Sequence, residues 1–375
     1  MLVQTKILHT SDIHLESKLG FLGGRASSHR AQVLETFKST VKHAVTQKYN
    51  VFLIAGDLFD TPFPSESTIS SVYELFKNLS ENKIFTAIIA GNHDYLAPGS
   101  VYFDSRFSKL DSKYIKIFTT GNTEIWKIPE LNLAIHGNSL KSQKDTKSPI
   151  AGMKKLPEVK HNIALVHGSV ELSKGQANNP INTQELSKLG FDYFALGDWH
   201  STKQISKSPQ AWYCGSPELV NIDQAGAGFI LSVTIDNTVD VKPLRIGKYE
   251  TTKLELDITR ARNLTDIANL FKNLKIPEPQ NKFIQLKLIG NKNLDAKFSH
   301  ENILELLAPN LYYLKISDTT HLELSENELD KFPEEFLIGK YIRLLQKKKG
   351  EDYSQNQIID EAIQLGVSHL QGHVN

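Results

Sequence analysis

Five stretches of this chain end an apolar run on side chains that can hold a cation. Residues 6–14 end on Asp12 and His14, residues 51–60 on Asp57 and Asp60, and residues 84–94 on Asn92, His93 and Asp94. Residues 162–168 end on His167 and residues 192–200 on Asp198 and His200. A carboxylate that closes a buried segment needs a positive partner, because an unpaired buried charge is costly. A metal ion is the simplest such partner. Five ends of this kind, all supplying Asp, Asn or His, imply one shared site at one edge of a sheet.

The elements that must position these residues are strands. Residues 51–55 are all apolar and too few for a helix, which marks a buried strand. Gly56 allows a tight turn where the strand stops. Asp57 then stands at the C-terminal edge, where open α/β sheets bind their ligands. Between the strands, a helix over about 29–47 aligns Val33, Leu34, Phe37, Val41, Ala44 and Val45 on one face. A second helix is expected over about 66–79, after Pro64 and Ser65, with Val72, Leu75, Phe76 and Leu79 inward. The alternation of strand and helix implies parallel pairing with right-handed crossovers.

Residues 95–129 read as irregular and aromatic, and 131–136 as a further short strand. His136, followed by Gly137, is read as a hydrogen-bonded histidine near the site. Six lysines between Lys141 and Lys160 mark a solvated loop, with phosphate contact as the alternative. Residues 169–183 form a loop that could rim the site. Residues 212–222 hold a turn after a short strand, and 228–246 a hairpin around Asp236 and Asn237. The domain boundary is placed near Gly247. Strands at 252–258, 283–289 and 311–316 alternate with helices at 263–274 and 300–307, a small α+β module. Two helices, about 333–348 and 355–370, close the chain. His300, His321, His369 and His373 have no ligand-like spacing and read as surface residues.

The totals narrow the class. A chain of 375 residues has room for about two domains. With 43 basic and 42 acidic residues, any nucleic-acid contact must be a local patch rather than a bulk field. The single cysteine, Cys214, excludes an internal disulfide, suits a reducing compartment and reads as a small buried side chain. No long apolar run marks a leader or a membrane span, so the expected setting is cytoplasmic.

Taken in order, Asp-x-His at Asp12, Gly-Asp-x-x-Asp at Asp57, Gly-Asn-His-Asp at Asn92, His-Gly at His167 and Gly-x-x-His ending at His200 resemble the calcineurin-like metallophosphoesterase superfamily. Residues 9–15, 55–61 and 90–94 resemble the bacterial SbcD-type and YhaO-like DNA repair exonucleases. The motif-bearing likeness spans about residues 5–220. It implies an α/β fold with two packed sheets flanked by helices over residues 1–247. A cap-like α+β domain over 248–330 and C-terminal helices over 331–375 would follow. It implies two divalent ions, Mn²⁺ first and Mg²⁺ second, which clamp the nucleophile and the non-bridging oxygens of a phosphodiester. Asp57 would bridge them, with Asp12, His14 and His200 completing one site and Asn92, His167 and Asp198 the other. His93 would serve the departing oxygen, and Asp60 would hold His93 in one tautomer. The implied activity is DNA exo/endonuclease action in double-strand-break repair. The cap would orient the duplex, the last helices would dock an SbcC-type ATPase, and a homodimer is compatible.

One departure stands out. The superfamily's last motif usually reads Gly-His-x-His, whereas here it is Gly197-Asp198-Trp199-His200. A carboxylate is still a hard ligand, but it adds negative charge to the second site. Two other readings remain open: a phosphatase or small-molecule phosphodiesterase, and a non-catalytic scaffold with a degraded site.

Overall fold

Strands that are apolar on both faces must lie between two covering layers. β1 (Thr5–Thr10), β2 (Val51–Ala55) and β3 (Phe85–Ile89) are buried along nearly their whole length. They run parallel, because helices α1 (Ala26–Thr46) and α2 (Glu66–Glu81) cross over between them. α1 buries Val33, Phe37, Val41 and Ala44, and α2 buries Ile69, Val72, Phe76 and Leu79. The start of α2 is held from two sides. Ser65 caps it by accepting from Thr68 N–H. The Glu16 carboxylate accepts from Ser65 N–H at 3.1 Å and from the Thr68 hydroxyl at 2.6 Å. Negative charge is favoured at a helix N-terminus, so this contact fastens the loop after β1 to α2.

The computed structural model describes residues 4–144, 146–170, 179–292, 298–322, 331–351 and 353–370. Most of the loop expected at 169–183, and His373, lie outside them. The chain divides into two compact units, Met1–Thr251 and Thr252–Asn375.

The stretch expected to be irregular, 95–129, contains two strands, β4 (Ile115–Ile117) and β5 (Glu124–Ile128). β4 has only three residues and β5 exposes alternate side chains on a sheet edge, so neither carries a long apolar run. The first unit continues with β6 (Leu133–Asn138), β7 (His161–His167), α3 (Thr183–Leu189), β8 (Tyr193–Gly197), β9 (Lys203–Lys207) and β10 (Gln210–Tyr213). The β9–β10 hairpin was not visible in the residue pattern, because β9 is polar and only half buried. β11 (Phe229–Ile235) and β12 (Val239–Arg245) form the expected antiparallel hairpin.

These strands make two six-stranded mixed sheets, ordered β12-β11-β1-β2-β3-β4 and β5-β6-β7-β8-β10-β9. Their facing sides share one core. Ile7, Leu53, Ala55, Ala87 and Ile89 of the first sheet cluster with Ile135, Ile163, Leu165, Tyr193 and Ala195 of the second. Behind the second sheet, Ile150, Met153, Ile181 and Leu186 cover Ala164, Val166, Phe194 and Leu196. Each fully buried large side chain contributes about 1.5–3 kcal/mol. The expected two-sheet sandwich with flanking helices is what the chain forms.

The second unit takes up β13 (Glu250–Asp257) and adds α4 (Leu264–Asn273), β14 (Lys282–Ile289), β15 (Asn291–Lys292), α5 (His300–Leu307), β16 (Tyr313–Asp318) and β17 (His321–Leu322). Asn263 with Asp266, and Ser299 with Asn302, form capping boxes that start its two helices. Leu256, Ile267, Ile284, Leu286, Ile303 and Leu307 lie in its core. Two further helices, α6 (Leu337–Gln346) and α7 (Tyr353–Leu370), pack through Ile342, Ile359, Ile363 and Val367.

Candidate metal centre

The C-terminal ends of β1, β2 and β3 in one sheet and of β7 and β8 in the other converge. Each strand hands its polar residues to the same place. The turns that do so are tight. Gly56 has φ +86°, and a Cβ there would strike the His167 ring. A Cβ at Gly197 would collide with the Ala55 carbonyl oxygen, so the two sheets meet this closely only over glycine. Asp12, His14, Asp57 and Asp198 themselves take positive φ, at 53°, 52°, 51° and 106°. Non-glycine residues rarely adopt such backbone, and it concentrates at functional sites.

Three groups of donors lie together: Asp12, His14 and His200; His14, Asp60 and His93; and Asp12, Asp57 and His167. Within each group the ligand atoms lie within 4.8 Å of one another. One Asp57 oxygen, Oδ2, stands 3.6 Å from His14 Nε2 and 3.5 Å from His167 Nε2, and so faces both imidazoles. Its other oxygen, Oδ1, accepts from His93 N–H at 2.8 Å. His167 Nε2 lies 2.8 Å from Asn92 Oδ1 and 3.7 Å from Asp198 Oδ1, and His167 Nδ1 donates to the Ala55 carbonyl at 2.9 Å. His14 Nε2 and His200 Nε2 approach to 3.1 Å. Asp60 Oδ1 serves two rings, His14 Nδ1 at 3.0 Å and His93 Nδ1 at 3.3 Å. The structure therefore gives Asp60 a second contact, with His14, beyond the one expected with His93.

Charge is distributed as in a cation site. Asp12, His14, Asp57 and His167 are buried, and among the described residues the ion-pair partners of Asp57 and Asp198 are imidazoles. Burial would lower the His167 pKa, but Asp57, Asp12 and Asp198 overcome it and lift the ring to about 9. The Asp60 hydrogen bond lifts His93 to about 9. His14 is raised too: burial opposes the shift, and the Asp60 bond and Asp57 outweigh it. Burial and the neighbouring His14 pull His200 down to about 3. Burial pushes the Asp12 and Asp198 carboxyls up. For Asp57, burial also acts upward, but His167 and His14 bring it below the usual carboxylate range. Protons on His93 and His167 thus balance the buried carboxylates, and the Nε2 atoms of His14 and His200 lie 3.1 Å apart. Divalent cations would replace those protons, so the donor set fits them.

Several contributors carried no local signal. Ser11 donates to Asp12 at 2.6 Å, Ser169 donates to Asp198, and Gln224 bonds His200 Nδ1. Gln224 is 24 residues from His200 along the chain. Asp94 turns away from the donors and accepts from Gly91 N–H, Phe59 N–H and the Tyr102 hydroxyl, which makes it a brace of the loop. His136 is buried and bonds Asn162 at 2.9 Å, outside the donor groups. The lysines from Lys141 to Lys160 are exposed. Cys214 is buried, with Sγ donating to the His9 carbonyl at 3.1 Å, and burial pushes its thiol pKa up.

A family model for calcineurin-like phosphoesterases matches residues 5–202. The chain is 24% identical over 284 residues to "Uncharacterized metallophosphoesterase YhaO" of Bacillus subtilis, covering 73% of this chain and 68% of that protein. It is 23% identical over 337 residues to "DNA double-strand break repair protein Mre11" of Saccharolobus solfataricus, covering 84% and 83%. The protein of the same name from Sulfurisphaera tokodaii is 26% identical over 283 residues, covering 71% of each chain.

Proposed function

The chain belongs to the calcineurin-like phosphoesterase family, and on that premise we propose that it is a metal-dependent nuclease that hydrolyses DNA phosphodiesters during double-strand-break repair. The observation that carries the phosphoesterase part is the convergence of five strand ends on one buried set of oxygen and imidazole donors. Asp12, His14, Asp57 and His200 would hold one cation, and Asp57, Asn92, His167 and Asp198 the other. Bound there, divalent cations supply Lewis acidity to the phosphoryl oxygens and to the attacking water. A donor set without thiolate suits Mn²⁺, with Mg²⁺ as the second choice.

The chain's own groups do the rest. His93 is partly exposed beside the donors and is held through Nδ1 by Asp60, so its other nitrogen would serve the departing oxygen. Trp199 supports a nucleic-acid substrate. It sits between Asp198 and His200, is 46% exposed, and has the Lys203 ammonium 5.6 Å from its ring centre. An exposed aromatic face beside a cation is what unpaired bases stack on. The similarity to proteins named for double-strand-break repair points the same way. The exposed apolar residues of α6 and α7 are read as the docking surface for an SbcC-type ATPase.

The test is hydrolysis of single- and double-stranded DNA against bis(p-nitrophenyl) phosphate, with Mn²⁺ and with Mg²⁺, and with Asp57→Asn as control. DNA cleavage that is lost in Asp57→Asn is expected. Hydrolysis of the small diester with no cleavage of any DNA would favour a small-molecule phosphodiesterase. No hydrolysis with any divalent ion would favour a scaffold.

A further inference from the structure

Gln224 lies between β10 and β11 and is buried. Its amide has two unlike ends: the oxygen only accepts and the nitrogen only donates. The neighbours decide which end is which. Val220 N–H and Asn221 N–H both donate to one end, at 3.2 and 3.0 Å. Backbone N–H groups are donors in every state, so that end is Oε1. Nε2 therefore faces His200 Nδ1. A donor facing a ring nitrogen needs a lone pair there, which puts the proton of neutral His200 on Nε2. Nε2 is also the ring atom turned toward the donors, 3.1 Å from His14 Nε2. With neutral His14 carrying its own proton on Nδ1 toward Asp60, His200 Nε2–H donates to His14 Nε2 and has no lone pair for a cation.

We infer that Gln224 is a positioning residue that holds His200 in the Nε2–H tautomer and so weakens cation binding at the Asp12–His14–His200 corner. A histidine that ligates through Nε2 carries its proton on Nδ1 and gives it to an acceptor. Here the group opposite is a donor. For a cation to bind, the His200 proton must move to Nδ1 and the Gln224 amide must turn. A turned amide sets its NH₂ against two backbone N–H groups. The centre therefore fills in order, with the His167 corner first and the His200 corner second. The inference rests on the metal-centre reading above, but the tautomer is read without metal, so the two can fail separately.

The experiment uses the full-length protein, stripped of metal and labelled with ¹⁵N. Long-range ¹H–¹⁵N spectra of the histidine rings, with His200 assigned through His200→Gln, should show an unprotonated Nδ1 and a protonated Nε2. Gln224→Glu keeps an acceptor for Val220 and Asn221 and offers a second one to His200. It should reverse the tautomer and tighten the weaker of two Mn²⁺ binding steps by calorimetry, by roughly 10–100-fold. The tighter step should stay as it is. A protonated Nδ1 in the metal-free wild type would overturn the inference without recourse to any Gln224 variant. An unchanged weaker step in a folded Gln224→Glu protein would overturn it as well.

Discussion

At the residue scale, the site separates groups that hold charge from groups that move protons. His93 contacts Asp60 through one ring nitrogen and offers Asp57 only its backbone N–H. His93→Ala is therefore expected to keep its metal stoichiometry and DNA affinity while turnover falls by roughly 10²–10⁴-fold. Elemental analysis and single-turnover kinetics check this, and a loss of metal would make His93 a ligand. Asp198 tests the departure from the usual motif. It stands 3.7 Å from His167 Nε2, accepts from Ser169, and donates its backbone N–H to Asp12 at 2.9 Å. Oxygen donors favour hard ions, so Asp198→His should shift preference from Mn²⁺ and Mg²⁺ toward Zn²⁺. With one negative charge fewer, the pH at which activity rises should also fall. Unchanged metal preference together with an unchanged pH profile would place Asp198 outside the metal set. The first of these residues was legible from its place in a motif, as was the oddity of the second. Asp60 contacting two rings was not, because His14 lies 46 residues away.

At the element scale, α6 and α7 behave in two ways at once. Ile342 and Ile363 are fully buried between them, and the Tyr341 hydroxyl donates to the Ala362 carbonyl at 2.6 Å. Phe336, Leu337, Leu344, Ile358 and Leu365 are exposed by 60% or more. The apolar residues of this helical pair thus serve partly to join the two helices and partly face solvent. These two roles are separable by mutation. Ile363→Ala should destabilise the helical pair by about 2–5 kcal/mol. Phe336→Ser with Leu344→Ser should leave the fold intact, by circular dichroism, and abolish association with an ATPase partner in sedimentation. Retained association in that double variant would place the docking surface elsewhere.

At the scale of the whole molecule, the two sheets are tied beneath the site by a histidine. His9 on β1 meets the Tyr193 hydroxyl on β8 at 2.9 Å, and burial holds its pKa down to about 3 from the ordinary 6.5. Between those values the unfolded chain takes up a proton that the folded chain refuses. Stability of this unit should therefore fall as pH drops from about 6.5 toward about 3, by about 1.4 kcal/mol per pH unit from this group. All three tryptophans, Trp126, Trp199 and Trp212, lie in the first unit, so urea unfolding followed by tryptophan fluorescence reports on it. His9→Gln should remove one proton from the pH dependence in that window. Equal slopes for the two proteins would show that His9 titrates normally in the fold.

What the sequence determined by itself was everything that depends on neighbours along the chain. Apolar runs that stop at glycine mark buried strands, and the strand–helix alternation sets their parallel order. The polar residues after each run name the candidate donors, because a carboxylate or imidazole at a buried edge needs a counter-charge, although Asp94 braces its loop instead. What only the tertiary structure decided depends on residues that meet across long loops. The short and half-exposed strands β4, β5 and β9 owe their form to sheet edges rather than to their own residues. Ser169 and Gln224 reach the centre only because the two sheets close on each other at Gly56 and Gly197. A hydrogen bond has direction, and its direction depends on the partner that folding brings. For that reason the tautomer of His200 is set by Val220 and Asn221, through Gln224, and by nothing in the motif that contains it.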